Sequence, residues 1–352
     1  MCANAWVSKA VRSGMSFHER LRVLAALAVA AVGCVLAAAA LAAPANAASL
    51  PHFRSAVGRA ERATAPGPPP PAAAAQFRTV DFPGAAATRI DGVNNGGVLA
   101  GSWSSNSTDF SGNSFGFIEF PSGQSVTFDY PGTTGVTEAS NINDLRTVVG
   151  NYLDNSGVLR GFVRSRFGEF TPLDDPAGAG GTITSGINDR GVIVGQYFDT
   201  VSASASHGFV YDDGTFTTLD YPGAASTALG NVNNSGAIVG SYTDASGINH
   251  GFLYEHGTFT TIDAPDAGTA SGEGTFLAGI SSNGVIAVQA VNDTGVFGWL
   301  LSHGRFSSLN DPNAAASSIS EPLDISSSGR YASGVYVDAS GAGDGFVATL
   351  RR

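Results

Sequence analysis

One pattern governs what this chain can fold into: three short motifs recur six times each, in a fixed order, between residue 76 and the last residue, 352. The first is an Asp-x-Pro turn that begins at Asp81, Asp129, Asp174, Asp220 and Asp263, with Asn310 in the sixth copy, at intervals of 43 to 48 residues. The second is a Gly-aromatic pair, at Gly116-Phe117, Gly161-Phe162, Gly208-Phe209, Gly251-Phe252, Gly298-Trp299 and Gly345-Phe346. The third is a turn starting at Asn94, Asn143, Asn188, Asn233, Ser281 and Ser326. Six positions before each stands a hydroxyl residue: Thr88, Thr137, Thr182, Thr227, Thr275 and Ser320. A fixed period of this length marks an array of supersecondary units and takes precedence over local propensity.

Inside one copy the chemistry is that of strands joined by tight turns. In the third, Thr182 to Ile187 leads into Asn188-Asp189-Arg190-Gly191, where Asn and Asp tolerate turn geometry and Gly supplies positive φ. Gly191 to Tyr197 is β-branched and apolar enough for a buried central strand, and a Gly-Phe strand, an Asp212-Asp213-Gly214 turn and the alternating Thr215 to Asp220 follow. Four short antiparallel strands per period are the unit of a propeller blade. A β-helix or open solenoid is the competitor, but its coils are shorter and an open stack needs atypical caps. The sixth copy stops at Gly345 to Arg352 without a final strand, while Gln76 to Asp81 precedes the first copy and matches the missing one. The expected fold is therefore all-β: a six-bladed β-propeller of four-stranded antiparallel blades over 77–352, its ring closed by the N-terminal strand joining the last blade.

The His-Gly-Phe strands at His207 and His250, the Asp-Tyr-Pro-Gly turns at Asp129 and Asp220, and the segment Ile187-Asn188 through Gly195 together resemble the extracellular HAF-repeat family of secreted bacterial proteins. The resemblance covers residues 77 to 352. It departs in the namesake tripeptide, whose middle residue is Gly throughout. It implies an exported repeat protein, and it supplies no catalytic residues to carry over.

The N-terminus reads independently as an export signal. Lys9, Arg12, Arg20 and Arg22 precede an apolar run from Val23 to Ala43, and Ala45-Asn46-Ala47 offers a signal-peptidase site with cleavage between Ala47 and Ala48. Residues 1–47 are thus expected to be a signal peptide, with an uncleaved anchor as the alternative because the run approaches bilayer-spanning length. Residues 48–76, rich in Ala and Pro, are expected to be a disordered linker. Both cysteines, Cys2 and Cys34, fall within the signal, so the mature chain contains no disulfide. It also contains no Lys: 14 Arg stand against 28 acids, a net charge of −14. Such a chain is repelled by phosphate backbones and anionic lipid, so no nucleic-acid partner is expected; once the signal is cleaved, a secreted location, extracellular or periplasmic, and no membrane span are expected.

Motifs for chemistry are mostly absent, with no metalloprotease helix, phosphate loop or calcium-loop series. Gly112-Asn113-Ser114-Phe115-Gly116 fits a nucleophile elbow in letters but leads into a repeat strand instead of a helix, and is read as a turn. His52 lies in the linker, His207 and His250 share one repeat position, and His256 and His303 precede Gly at turns. None has ligand spacing, and no metal or cofactor is expected. The repeated Asp residues are read as Asx-turn formers instead of calcium ligands.

One irregular position singles itself out. Directly after the repeated hydroxyl residue the six copies carry Arg89, Glu138, Ile183, Ala228, Phe276 and Glu321. In a closed ring Glu321, Arg89 and Glu138 come from three consecutive blades. They are expected either to neutralise one another as a structural network or, with Ile183, Ala228 and Phe276, to form a two-sided pocket for a polar ligand at the channel. The inserted Arg is expected to depress both glutamates' pKa values. The leading functional expectation is a secreted, monomeric, noncatalytic binding or scaffold protein for an extracellular glycan or protein. The alternatives are an exported polysaccharide hydrolase or lyase using Glu138 and Glu321, and a purely structural surface protein.

Overall fold

The computed structural model describes residues 75–351 except 106–112, 134, 202–204 and 316–318. The expected signal peptide, its expected Ala47-Ala48 cleavage site and the expected linker as far as residue 74 lie outside the described residues. The linker boundary moves slightly, because Ala75 and Gln76 already belong to a strand.

The fold is all-β. Strand β1 (Ala75–Val80) comes first in the chain but is used last. The first unit is β2 (Ala87–Val93), β3 (Leu99–Ser104), β4 (Ser114–Glu119) and β5 (Ser125–Phe128); the second is β6 (Thr137–Ile142), β7 (Val148–Leu153), β8 (Leu159–Arg164) and β9 (Phe170–Leu173). The third is β10 (Gly181–Ile187), β11 (Ile193–Phe198), β12 (His207–Asp212) and β13 (Thr215–Thr218), and the fourth β14 (Ser226–Val232), β15 (Ile238–Thr243), β16 (Asn249–Glu255) and β17 (Thr258–Ile262). The fifth is β18 (Gly274–Ile280), β19 (Ile286–Asn292), β20 (Gly295–Ser302) and β21 (Arg305–Ser308). The sixth begins with β22 (Ser320–Ile325), β23 (Tyr331–Val337) and β24 (Gly343–Leu350), and its fourth strand is β1, antiparallel to β24 with Ala75 opposite Leu350 and Val80 opposite Gly345. Each unit is an antiparallel meander, and parallel bridges link the first and second units at Ser114 and Val136, the fourth and fifth at Asn249 and Gly274, and the fifth and sixth at Val296 and Ile319. No sheet of the described residues closes on itself.

The three sequence markers each have a physical cause. The repeated hydroxyl oxygen accepts the backbone N–H of the middle residue of the Asp-x-Pro turn, from Phe82 to Thr88 at 2.9 Å, Tyr130 to Thr137 at 3.1 Å, Tyr221 to Thr227 at 3.0 Å and Asp311 to Ser320 at 2.8 Å. The glycine of the Gly-aromatic pair is where one unit approaches the next. A Cβ on Gly208 would stand 2.9 Å from Leu229, and one on Gly345 would stand 2.9 Å from Ile90, a residue of the first unit. The aromatic partners Phe117, Phe162, Phe209, Phe252 and Phe346 are completely buried.

The Asn of the third marker has two tasks. The Oδ1 of Asn188 accepts the N–H groups of Arg190 and Val192 within its own turn, while its Nδ2 donates to the carbonyl of Asn233 in the next unit. Asn94, Asn143 and Asn233 repeat the outward donation, to the carbonyls of Asn143, Asn188 and Ser281. The belt continues through backbone and side chain, with Ser282 N–H donating to the Ser327 carbonyl and Ser328 N–H to Asn95 Oδ1.

Apolar burial is divided into slabs between consecutive units. Val149, Leu173, Ile187, Ile193 and Phe209 form one between the second and third. Val80, Ile90, Val93, Leu99, Phe117 and Val347 form another between the sixth and first. Every first strand also bulges once, leaving Asp91, Ser140, Ser185, Gly230, Ala278 and Leu323 without a partner across the ladder. A bulge re-aims the strand and turns one side chain out of the alternation.

Candidate functional site

The site of interest lies where the first strands meet. β2, β6, β10, β14, β18 and β22 pack in succession, and β22 packs against β2. The irregular column occupies one register position on all six: Arg89 faces Ser102, Glu138 faces Asn151, Ile183 faces Gln196, Ala228 faces Ser241, Phe276 faces Gln289 and Glu321 faces Val335.

Arg89 holds the charged half together. Its Nε lies 2.9 Å from Asp91 Oδ1, and its second guanidinium nitrogen lies 2.9 Å from Glu138 Oε2. Burial works to lower the pKa of Arg89, but the charges of Asp91, Glu138 and Glu321 outweigh it and raise the value, so the guanidinium stays charged. Glu138 also accepts from Ser114 Oγ at 3.1 Å. Ser114 opens β4, so the nucleophile-elbow letters lead into a strand; Gly112 lies outside the described residues.

Glu321 departs from expectation. It is 1% exposed, its Oε1 has no hydrogen-bond partner among the described residues, and burial pushes its carboxyl up to about 7 despite the attraction of Arg89. Desolvation outweighs the nearby positive charge, so the predicted depression is corrected to a rise. The apolar half is core: Ile183 and Ala228 are buried, and Phe276 packs with Val291, Val296 and Ile319.

Sequence reasoning missed Asp91, Asn141, Asn231 and Asp324. The bulged residues Asp91, Ser140, Ser185, Gly230, Ala278 and Leu323 line a cavity of about 30 Å³ together with Arg89 and Thr184. That is room for one or two waters, far below the ~300 Å³ or more of a ligand pocket. Asp91 accepts from Ser102 Oγ at 3.1 Å, and burial raises its carboxyl to about 6.

One residue further along, the copies read Gly92, Asn141, Gly186, Asn231, Gly279 and Asp324, small and polar in alternation. A Cβ on Gly92, Gly186 or Gly279 would lie within 3.0 Å of the backbone of Asn141, Asn231 or Asp324, so each glycine makes room for its neighbour. Asn231 Nδ2 donates to Asp324 Oδ1 at 2.8 Å, and the Val93 N–H donates to Oδ2 at 3.0 Å. Burial raises Asp324 to about 7, against these bonds and one from Asn141. A second cavity of about 30 Å³ lies between this cluster and Asp144, Asp189, Asn234 and Ser327.

A different constellation lies towards the outside, on the residue before the Gly-aromatic glycine. In the second unit Arg160 Nε pairs with Asp154 at 3.1 Å and is acted on by Asp174. In the third, His207 lies between Asp220 at 2.7 Å and Asp199 at 3.6 Å; in the fourth, His250 lies between Asp263 at 3.0 Å and Asp244 at 3.5 Å. Burial tends to lower the pKa of His207, but the two carboxylates raise it overall. Aromatic rings stack behind them: Tyr197 on His207, Tyr242 on His250, and Tyr130 on Tyr152 with centroids 3.7 Å apart.

The Asp-x-Ser-Gly turns are Asx turns, since Asp244 Oδ1 accepts from Ser246 and Ile248 and Asp338 Oδ1 from Ser340 and Ala342. His256 and His303 take positive φ at their turns. Among the described residues no three His, Cys, Asp or Glu side chains converge as metal ligands, and no helix is long and apolar enough to cross a membrane.

No protein-family model matches the chain, and no curated protein matches its sequence. Solved structures are similar to it in shape. The fungal lectin of Aleuria aurantia, a six-bladed β-propeller that recognises fucose, matches 74% of this chain and 91% of its own at 12% identity and a TM-score of 0.47. Virginiamycin B lyase from Staphylococcus aureus matches 79% of this chain and all of its own at 11% identity and a TM-score of 0.43. The β-propeller domain of the Trilobed protease from Pyrococcus furiosus matches 74% and 94% at 9% identity and a TM-score of 0.41.

Proposed function

We propose that the six units are blades of a closed β-propeller, exported by the N-terminal signal, and that the protein is a noncatalytic binding or scaffold module for an extracellular glycan or peptide held on its loop-bearing outer face. Support for closure comes from β1 on β24, from β22 on β2 and from the slab joining Ile90 to Val347. The binding reading is carried by one observation: a partly exposed basic side chain between two carboxylates, backed by stacked rings, repeats at Arg160, His207 and His250. Polar groups in fixed positions beside aromatic surface suit sugar hydroxyls and peptide amides, and repetition multiplies weak contacts through effective concentration. The space between the first strands suits a ligand less, because Arg89 is saturated by Asp91 and Glu138 and the cavity holds only water-sized guests.

The test is binding of the mature chain to glycan and peptide arrays. Expected is a signal that falls at least about tenfold in a His207→Ala, His250→Ala double variant and persists in Arg89→Ala once corrected for the folded fraction. Loss in Arg89→Ala alone would transfer the ligand to the central cavity. The hydrolase alternative draws on Glu321, a carboxyl whose pKa burial raises to about 7, beside the Arg89-Glu138 pair. Turnover on the glycan panel, abolished by Glu321→Gln, would establish it.

A further inference from the structure

We propose that the seam between β1 and β24 is a pH-sensitive latch, in which the cluster of Asp81, Asp338 and Asp344 holds the two strands together at low pH and loosens them when Asp344 ionises. The argument begins with equivalent positions. The residue before the Gly-aromatic glycine is Arg160 in β8, His207 in β12 and His250 in β16, each flanked by two Asp: one from the turn after the second strand and one from the Asp-x-Pro marker. In the sixth unit the flanking residues are Asp338 and Asp81, and the place of the basic residue is taken by Asp344. Three carboxylates therefore meet where three other units set a basic side chain between two carboxylates.

Asp81 follows β1 directly, and Asp344 stands beside Gly345, the partner of Val80, so the pair straddles the pairing of the two strands. The register of Val80 on Gly345 brings the Asp81 carboxylate to that of Asp344 across the seam. Burial raises Asp344 to about 6, and the charges of Asp81 and Asp338 add to that. Among the described residues, the basic groups of the adjoining strands are engaged by other carboxylates. On β23, Tyr336 lies opposite Asp344 and exchanges a hydrogen bond with Thr79 of β1, and Asp311 acts on that tyrosine. On β1, Arg78 is paired with Glu119. On β2, which packs against β24, Arg89 is engaged by Asp91 and Glu138.

The folded-state value lies above that of a free Asp, so the latch contributes fully below about pH 4 and is lost as pH rises through about 6. This seam is the place where such a change acts locally. Within the units, the other neighbouring antiparallel strands follow one another directly in the chain, whereas β1 and β24 are joined only through the rest of it, so β1 can detach without unfolding a hairpin.

Amide hydrogen exchange of the full chain at pH 4.5 and 7.5, expressed as protection factors, reads the latch directly. The ratio of β1 protection to β10 protection is expected to fall about three- to tenfold at the higher pH, a partial expression of a two-unit shift in a screened group. The β10 reference removes pH effects on global stability. In Asp344→Asn, or in Asp81→Asn if that variant does not fold, the ratio is expected to be constant. Asp344→His, which restores the alternation of the third and fourth units, is expected to raise β1 protection at pH 6 above the unsubstituted chain. A constant ratio in the unsubstituted chain, or an undiminished pH dependence in both Asn variants, would overturn the proposal.

Discussion

At the scale of single residues the interior is organised by one cation. Arg89 is the partner of Asp91 and Glu138 and acts on Glu321, and its removal leaves buried carboxylates without compensation. Breaking such a cluster from one side costs about 3–5 kcal/mol. Arg89→Ala is therefore expected to lower unfolding free energy by that order in denaturant titrations at pH 7.5, and by less at pH 5, where Asp91 and Glu321 accept protons. An equal loss at both pH values would show that Arg89 acts through packing alone. Asn188 gives a second case, because its turn needs an acceptor and its neighbour a donor. Asn188→Asp keeps the first and loses the second, setting a carboxylate against the Asn233 carbonyl at an expected cost of about 1–3 kcal/mol. Arg89 beside Glu138 was legible in sequence because repeat copies superimpose, and an irregular column stands out beside the repeated motifs. The height of the Glu321 pKa was not, since it depends on how completely water is excluded.

At the scale of elements, the repeat period located nearly every strand, because each marker has a local cause: a hydroxyl capping a turn, a glycine admitting a neighbour's side chain, an asparagine bridging two turns. The bulges escaped, although a trace was present. Ile90 and Val93 face the same slab, as do Leu229 and Val232, at a spacing of three where a regular strand would place like faces two apart. No bulge was expected in those segments, and this hid Asp91 and the Asn141, Asn231 and Asp324 cluster. The pairing of β1 with β24 was legible from the surplus first strand and the incomplete last unit. Deleting residues 76–82 removes that strand and uncovers the whole β24 edge. The expected result is a broad, noncooperative thermal transition in calorimetry; a sharp transition with only a modest drop in midpoint would mean that β1 is an appendage.

At the scale of the whole molecule, the signs of the pKa shifts combine into one direction. Asp91 and Asp344 are raised to about 6 and Glu321 and Asp324 to about 7, so each binds a proton more tightly in the folded state than in the free chain. Stability from such groups is complete below about pH 4 and drains away as pH rises through 6 and 7. His207, also raised, contributes in the same sense, its share being lost as pH rises through its folded value. The opposite sense belongs to Asp244 and Asp338, lowered by turn hydrogen bonds, whose contribution disappears only as pH falls below the ordinary Asp range. Between about pH 4 and 8 nothing in this set offsets the loss. Denaturant midpoints are therefore expected to peak near pH 4.5–5 and to decline towards pH 8, and Glu321→Gln should flatten the decline. Salt separates the origins: the surface repulsion of a chain with 28 acids and 14 Arg after residue 47 is screened at high ionic strength, whereas the cost of ionising carboxyls between the first strands is not. A decline that vanishes in 1 M salt would assign the pH dependence to the surface, and one that persists would assign it to the buried carboxyls.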